Sequence, residues 1–180
     1  AMLTMGVLER KTELDYCLQQ FLKQPVMRMK MPLRTILEIG AYQILYMDNV
    51  YDTKACDLCV ELAKKKGFGQ MTGLVNGVLR NLVRNKDGIV YPSKDKPADY
   101  LSVTYSVPKW MTELFLRQYD YDRVEKMLSH GLKDTNLCIH LLKSLSAGEK
   151  EEILSGFNMA GIEVKECSFL PDAYALTRPG

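Results

Sequence analysis

Met71, Leu74, Val75, Val78, Leu79, Leu82 and Val83 fall at the i, i+3, i+4, i+7, i+8 spacing of one helical face. A stripe this regular excludes the period of two that a half-buried strand needs, and its width demands other helices to cover it. The preceding sequence supplies them. Leu14, Cys17, Leu18, Phe21 and Leu22 predict a helix from near Leu3 to before Pro25. Pro32 suits a first helical turn, and Leu33, Ile36, Leu37, Gly40, Ile44 and Leu45 mark one face after it. Asn49 to Asp52 reads as a turn. Asp52 or Thr53 then caps a third helix to about Lys66, with Gly67 just past its end. Residues 1–86 are therefore expected to form an all-α bundle of at least four helices.

The pattern changes after residue 86. Residues 87–99 carry Gly88, Pro92, Ser93 and Pro97 with few core candidates, and read as a linker with a short extended piece at Ile89–Tyr91. In residues 100–180, Pro108 opens a helix that carries Trp110, Leu114 and Phe115 inward. Asp122 and Glu125 have capping-box spacing for a helix ending at Gly131. Leu137–Leu142 is a continuous apolar run, read as a buried strand. Ser146 and Glu149 form a capping box for a helix ending at Gly161, with strands expected at Ile162–Val164 and Ala173–Leu176. The fold class is mainly α: a helical bundle followed by a small α+β subdomain with a β-α-β unit.

Charge divides the chain in the same place. Residues 1–86 hold 13 Lys and Arg against 8 Asp and Glu, a net of +5, whereas residues 87–180 hold 11 against 14, a net of −3. The basic half suits an anionic partner. No apolar run is long enough for a membrane span and no signal segment opens the chain, so a cytoplasmic protein is expected. The five cysteines are odd in number and irregularly spaced, which fits reduced thiols.

Three segments acquire meaning together: Leu33-Arg34-Thr35-Ile36-Leu37-Glu38-Ile39-Gly40-Ala41-Tyr42-Gln43-Ile44-Leu45-Tyr46, Val60-Glu61-Leu62-Ala63-Lys64-Lys65, and Leu74-Val75-Asn76-Gly77-Val78-Leu79-Arg80. In this order and spacing they resemble the NusB family of RNA-binding helical domains, which occur alone as transcription antitermination factors and fused to RsmB (Sun/Fmu) ribosomal RNA methyltransferases. Tyr105-Ser106-Val107-Pro108-Lys109-Trp110-Met111, the capped helix before Gly161-Ile162-Glu163-Val164, and the closing Arg178-Pro179-Gly180 resemble the linking subdomain of the RsmB proteins. The resemblance implies the N-terminal region of a small-subunit rRNA cytosine-5 methyltransferase that uses S-adenosylmethionine. It departs from the family at Asp57, where Asn is usual, at Cys56, where an aliphatic residue is usual, and at His140, where an Arg is expected. The bundle's first helix or two are expected to be missing. No Gly-x-Gly-x-Gly follows a strand and no cysteine follows a proline, so neither catalytic nor cofactor-binding residues are assigned here, and S-adenosylmethionine is expected only in an absent catalytic domain.

The RNA-binding candidates are Arg28, Lys30, Arg34, Lys64, Lys65, Asn76, Arg80 and Arg84. Asn76, Arg80 and Arg84 lie one helical turn apart, a row that can track phosphates through guanidinium forks. Against this, Arg34 can pair with Glu38 one turn on, and Asn76 can satisfy buried backbone groups. Lys64, Lys65 and Lys66, with Arg28 and Lys30, read either as a nonspecific electrostatic footprint or as a solvated helix end. Cys56 and Cys59 form a lone CxxC on a helix, without the further ligands zinc requires, and read as two small buried residues. Trp110 either stacks on a base or anchors a core. Tyr42 and Tyr46 read as core and rim. Gly73 and Gly77 would let another helix approach closely. His130 and His140 have no partner in sequence, and no metal site is assigned.

The expected function is to position small-subunit rRNA for a catalytic domain. The alternative is a NusB-like antitermination factor acting through protein partners. A third expectation is homodimerisation through the bundle, and no membrane is involved.

Overall fold

A computed structural model describes residues 2–131, 137–168 and 170–177. Two compact units divide the chain, Ala1–Leu132 and Lys133–Gly180. The expected linker at 87–99 therefore does not mark the division, because the helices that follow it belong to the first unit.

That unit contains α1 (Met2–Glu9), α2 (Lys11–Gln19), α3 (Met31–Tyr46), α4 (Asp52–Lys65), α5 (Thr72–Asn85), α6 (Pro97–Thr104), α7 (Lys109–Gln118) and α8 (Tyr121–Gly131). The stripe on α5 buries Val75, Val78, Leu79 and Leu82 against Leu14 and Leu18 of α2, Leu37 and Ala41 of α3, and Ala55, Cys59 and Ala63 of α4. Fully burying a side chain of this kind stabilises by about 1.5–3 kcal/mol, so this shared core holds the bundle. Gly40 sits on the inward face of α3, where a Cβ would come within 2.6 Å of Leu79 Cδ1 and 3.0 Å of Cys59 Sγ. Only glycine permits so close an approach. Cys56 and Cys59 are core residues, as their spacing predicts, and burial pushes the Cys59 thiol up to about 12.

The expected single helix from Leu3 is broken at Arg10. The reason lies 94 residues downstream. Ser106, at φ +53°, accepts from Thr12 N–H at 3.0 Å and from Glu13 N–H at 3.3 Å, and so caps the start of α2 from outside its own segment. Ser106→Ala is expected to cost about 1 kcal/mol of unfolding free energy, the usual loss for an N-cap side chain. Urea denaturation checks it, and an unchanged midpoint would remove the capping role.

Residues 86–91 are also tied to the bundle. Gln20 receives Val90 N–H and donates to Val90 C=O, both at 3.2 Å, as a neighbouring strand would. Tyr91 donates to buried Glu13 Oε1 at 2.8 Å, and Ile89 packs on the main core. Helix α6, which the sequence reading leaves out, starts at Pro97 and buries Leu101 with Val124 and Leu128 of α8.

Four local expectations are corrected. Tyr51, not Asp52 or Thr53, takes the N-cap position of α4 and makes no side-chain cap; Asp52 instead pairs with Lys86 at 3.2 Å. Trp110 is 62% exposed and Leu114 is exposed too, because α7 turns Thr112, Phe115 and Leu116 inward. Asp120, two residues before the expected Asp122, receives Arg123 N–H at 2.9 Å at the start of α8, and Glu125 is taken up by Tyr121 Oη at 3.1 Å. The apolar run from Leu137 forms a strand only to His140, and that strand is largely exposed because it lies at a sheet edge.

The second unit contains β1 (Leu137–His140), α9 (Ala147–Met159), β2 (Glu163–Glu166) and β3 (Ala173–Thr177). The sheet order is β1-β3-β2, with β3 antiparallel to both neighbours. β1 and β2 therefore run parallel, joined through α9, and β3 is inserted between them as a split β-α-β unit. The capping box at α9 is present: Ser146 N–H donates to Glu149 Oε2 at 2.8 Å and Glu149 N–H to Ser146 Oγ at 3.4 Å. Gly161, at φ +73°, follows its last turn. The closing Arg178-Pro179-Gly180 lies outside the described residues.

Candidate nucleic-acid interface

Helices α4 and α5 form an antiparallel hairpin, so the start of α4 lies beside the end of α5. Once α5 commits its apolar stripe to the core, Asn76, Arg80 and Arg84 remain as a row outside it. The Arg80 guanidinium is oriented from both sides. Its Nε donates to Asn76 Oδ1 at 2.7 Å, and its Nη2 lies 3.6 Å from Asp57 Oδ1. Asn76 thus serves Arg80 rather than buried backbone. Thr53, Cys56, Arg80, Val83 and Arg84 line a recess of about 80 Å³. Burial pushes the Cys56 thiol up, with the Arg80 charge acting in the opposite direction, so the cleft presents guanidinium groups and a neutral thiol.

A second basic group lies at the other end of the hairpin, roughly 20 Å away along α4 at 1.5 Å per residue. Arg28 and Lys30 flank a recess of about 190 Å³ with Phe68, Met71 and Leu74. Lys64 and Lys65 close α4, where cations suit the negative pole of the helix dipole. Lys65 pairs with Glu61 at 2.7 Å and lowers the carboxyl pKa of Glu61, while both side chains stay well exposed.

Arg34 belongs to neither group. Its side chain is 15% exposed and forks onto Asp15, Nε to Oδ1 at 2.9 Å and a second bond from Nη2 to Oδ2. Its Nε also lies 2.9 Å from Glu38 Oε1, whose side chain is 2% exposed. The expected phosphate contact at Arg34 is corrected accordingly: its charge is committed inside the fold, and Lys11 supplies a second cation to Glu38. The expected helix approach at Gly73 and Gly77 is corrected as well. Open space lies beyond both, and they line a groove of about 420 Å³ with Phe21, Leu22 and Lys23.

Sequence reasoning missed Thr53 and Val83 as walls of the arginine recess, and Phe68 and Met71 as walls of the other. The signal that finds them is the short α4–α5 connection, which forces an antiparallel hairpin and pairs the start of one helix with the end of the other. Among the described residues, no group of three or more His, Cys, Asp or Glu is placed to hold a metal ion, and no helix is long and apolar enough to cross a membrane.

Residues 1–84 match the NusB family. A probable ribosomal RNA small subunit methyltransferase B from Bacillus subtilis is 29% identical over 180 residues, covering 98% of this chain and 38% of the relative. A ribosomal RNA small subunit methyltransferase B from Yersinia enterocolitica is 24% identical over 177 residues, covering 98% of this chain and 39% of the relative. A transcription antitermination protein NusB from Syntrophomonas wolfei is 31% identical over 87 residues, covering 48% of this chain and 65% of the relative. The chain spans less than two fifths of the length of these two methyltransferase relatives. The four-helix core, the α4–α5 hairpin and the matched span coincide: residues 1–84 are a domain of the NusB family.

Proposed function

We propose that this chain is the RNA-binding region of an S-adenosylmethionine-dependent small-subunit rRNA cytosine-5 methyltransferase, and that it positions rRNA for a catalytic domain outside the chain. The observation that carries this reading is the row Asn76, Arg80, Arg84. It offers one preset guanidinium and a second one turn on, flanking a recess whose volume of about 80 Å³ suits a phosphate better than a nucleobase. Arg28, Lys30, Lys64 and Lys65 at the far end of the hairpin add a second point of contact with the backbone of a structured RNA, which is read chiefly through shape and phosphates. The methyl donor belongs to the catalytic domain in this reading, and no residue here is assigned to it. Alignment of the methyltransferase relatives over 98% of the chain, well past the NusB-family span, favours this reading over an antitermination factor. Co-purification with transcription or ribosomal proteins in the absence of rRNA would favour the latter.

Asp57 makes a direct test of the arginine row. Its carboxylate lies 3.6 Å from the Arg80 guanidinium, where its charge competes with that of an RNA phosphate. The pair is exposed, so removing the competing charge is worth about 0.2–1 kcal/mol. Asp57→Asn is expected to tighten binding of a small-subunit rRNA fragment about 1.4- to fivefold at low salt, read by fluorescence anisotropy. Unchanged or weaker binding would place the RNA elsewhere.

A further inference from the structure

Helix α7 turns its most adhesive side chains away from the core. Thr112 is fully buried, and Phe115 and Leu116 pack inward with it. The opposite side of the helix carries Trp110, Leu114 and Arg117, spaced by four residues and then three. That is the seam spacing of helices that pack along one another. Trp110, the one tryptophan of the chain, is 62% exposed, and Leu114 is 41% exposed. The exposed Arg117 guanidinium has no ion-pair or hydrogen-bond partner among the described residues. Tryptophan and arginine are the side chains that most often anchor protein interfaces.

An exposed indole beside a guanidinium also suits an RNA base, but the charge around it favours protein. Residues 109–123 hold three Lys and Arg against three Asp and Glu, a net of zero. Two of the cations are already engaged: Lys109 pairs with Asp99 at 2.6 Å, and Arg123 lies 5.0 Å over the Tyr119 ring. A surface that tracks phosphates needs an excess of positive charge.

The ridge is complementary to itself. Glu113 and Arg117, one turn apart, lie on the same side of it. When a second α7 is laid antiparallel about a two-fold axis beside Leu114, Leu114 meets its own counterpart. Arg117 then falls beside the partner's Trp110 and the partner's Glu113, a cation–π contact and an ion pair at once. The two-fold axis repeats both contacts at the other end.

We propose that the outer ridge of α7 is a homodimer interface, in which Trp110, Leu114 and Arg117 of two copies pack antiparallel. This surface lies outside residues 1–84 and does not depend on the RNA-binding reading. One short helix from each copy buries less than a standard interface, so the dimer is weak and reversible.

The test uses the full chain in a dilution series, followed by analytical ultracentrifugation and by the emission of its single tryptophan. The native chain is expected to form a dimer at high concentration, and Trp110 emission to move to longer wavelength as dilution releases it. Arg117→Glu sets a second carboxylate against the partner's Glu113, and Glu113→Arg sets a second guanidinium against the partner's Arg117. Each variant alone is expected to dimerise about tenfold more weakly, because two attractive contacts become repulsive. An equimolar mixture of the two is expected to restore the dimer, which also shows that both variants fold. A native chain that stays monomeric at its highest soluble concentration would overturn the proposal. So would a dimer indifferent to both charge reversals, a mixture that stays monomeric, or a shift of Trp110 emission by an rRNA fragment while the chain sediments as a monomer.

Discussion

Arg34→Ala is expected to lose about 3–5 kcal/mol of unfolding free energy, the usual loss when one partner is removed from a buried ion pair. The guanidinium holds Asp15 through two bonds and Glu38 through a third, and all three side chains are largely shielded from water. Without it, two carboxylates from α2 and α3 face each other, with Lys11 as the remaining cation on Glu38. Desolvation already raises the Glu38 pKa, opposed by Lys11 and reinforced by Asp15. The sign of the pH dependence follows. A carboxyl raised in the folded state takes up a proton on folding, so lowering the pH through that raised value favours the folded state until the unfolded group is protonated too. The deficit of Arg34→Ala is therefore largest above the folded-state pKa of Glu38 and shrinks as pH falls toward the ordinary carboxyl range. Glu38→Gln in the same chain should recover part of the loss, which a double-mutant cycle in urea measures. A loss under 1 kcal/mol would mean that the pair is solvated and that Arg34 is available to RNA after all.

The converse behaviour is expected at the arginine row. Arg80→Glu with Arg84→Glu should leave stability within about 0.5 kcal/mol, because both side chains lie outside the buried stripe. RNA binding should suffer instead. Each lost phosphate contact removes about 0.7–0.9 from the slope of log K against log salt, so two contacts amount to roughly 100-fold in affinity at 50 mM salt. Arg80 and Arg84 flank one recess, so the single variants are expected to couple rather than add. Wild-type affinity in the double variant would remove the row from the interface.

These two predictions separate what the sequence displays from what it conceals. Arg34, Arg80 and Arg84 are alike as letters, each on a helix, the first two within family-like segments and Arg84 one turn past the last of them. Arg34 and Glu38 at i, i+4 hint at a pair, but Asp15, the partner that buries the charge, lies 19 residues away on another helix. Periodicity identifies the helices that share a face and so the bundle, since that information is local. The α1–α2 break is not local: it depends on Ser106, which reads as an ordinary loop residue until the chain returns to place it over Thr12 and Glu13. The same holds for Tyr91 and Ile89, which look like linker and serve the first unit's interior. Trp110 shows the opposite limit. A lone tryptophan near a helix start reads as a core anchor, but the phase of α7 is set by Thr112, whose hydroxyl donates to Ala98 and Lys109 carbonyls, and the indole is left outside. For the RNA-binding candidates, the sequence identified the row on α5 because helical spacing places i, i+4 and i+8 together. It did not reveal the cleft, whose other wall comes from α4.

The most direct measurement is the binding of the full chain to a small-subunit rRNA fragment across a salt series. Binding that tightens as salt falls, linear in log K against log salt with a slope steeper than about −1.5, is predicted, since at least the two contacts at Arg80 and Arg84 release counterions. A flat response, or no binding at the lowest salt, would contradict the account of this chain as an rRNA-binding region.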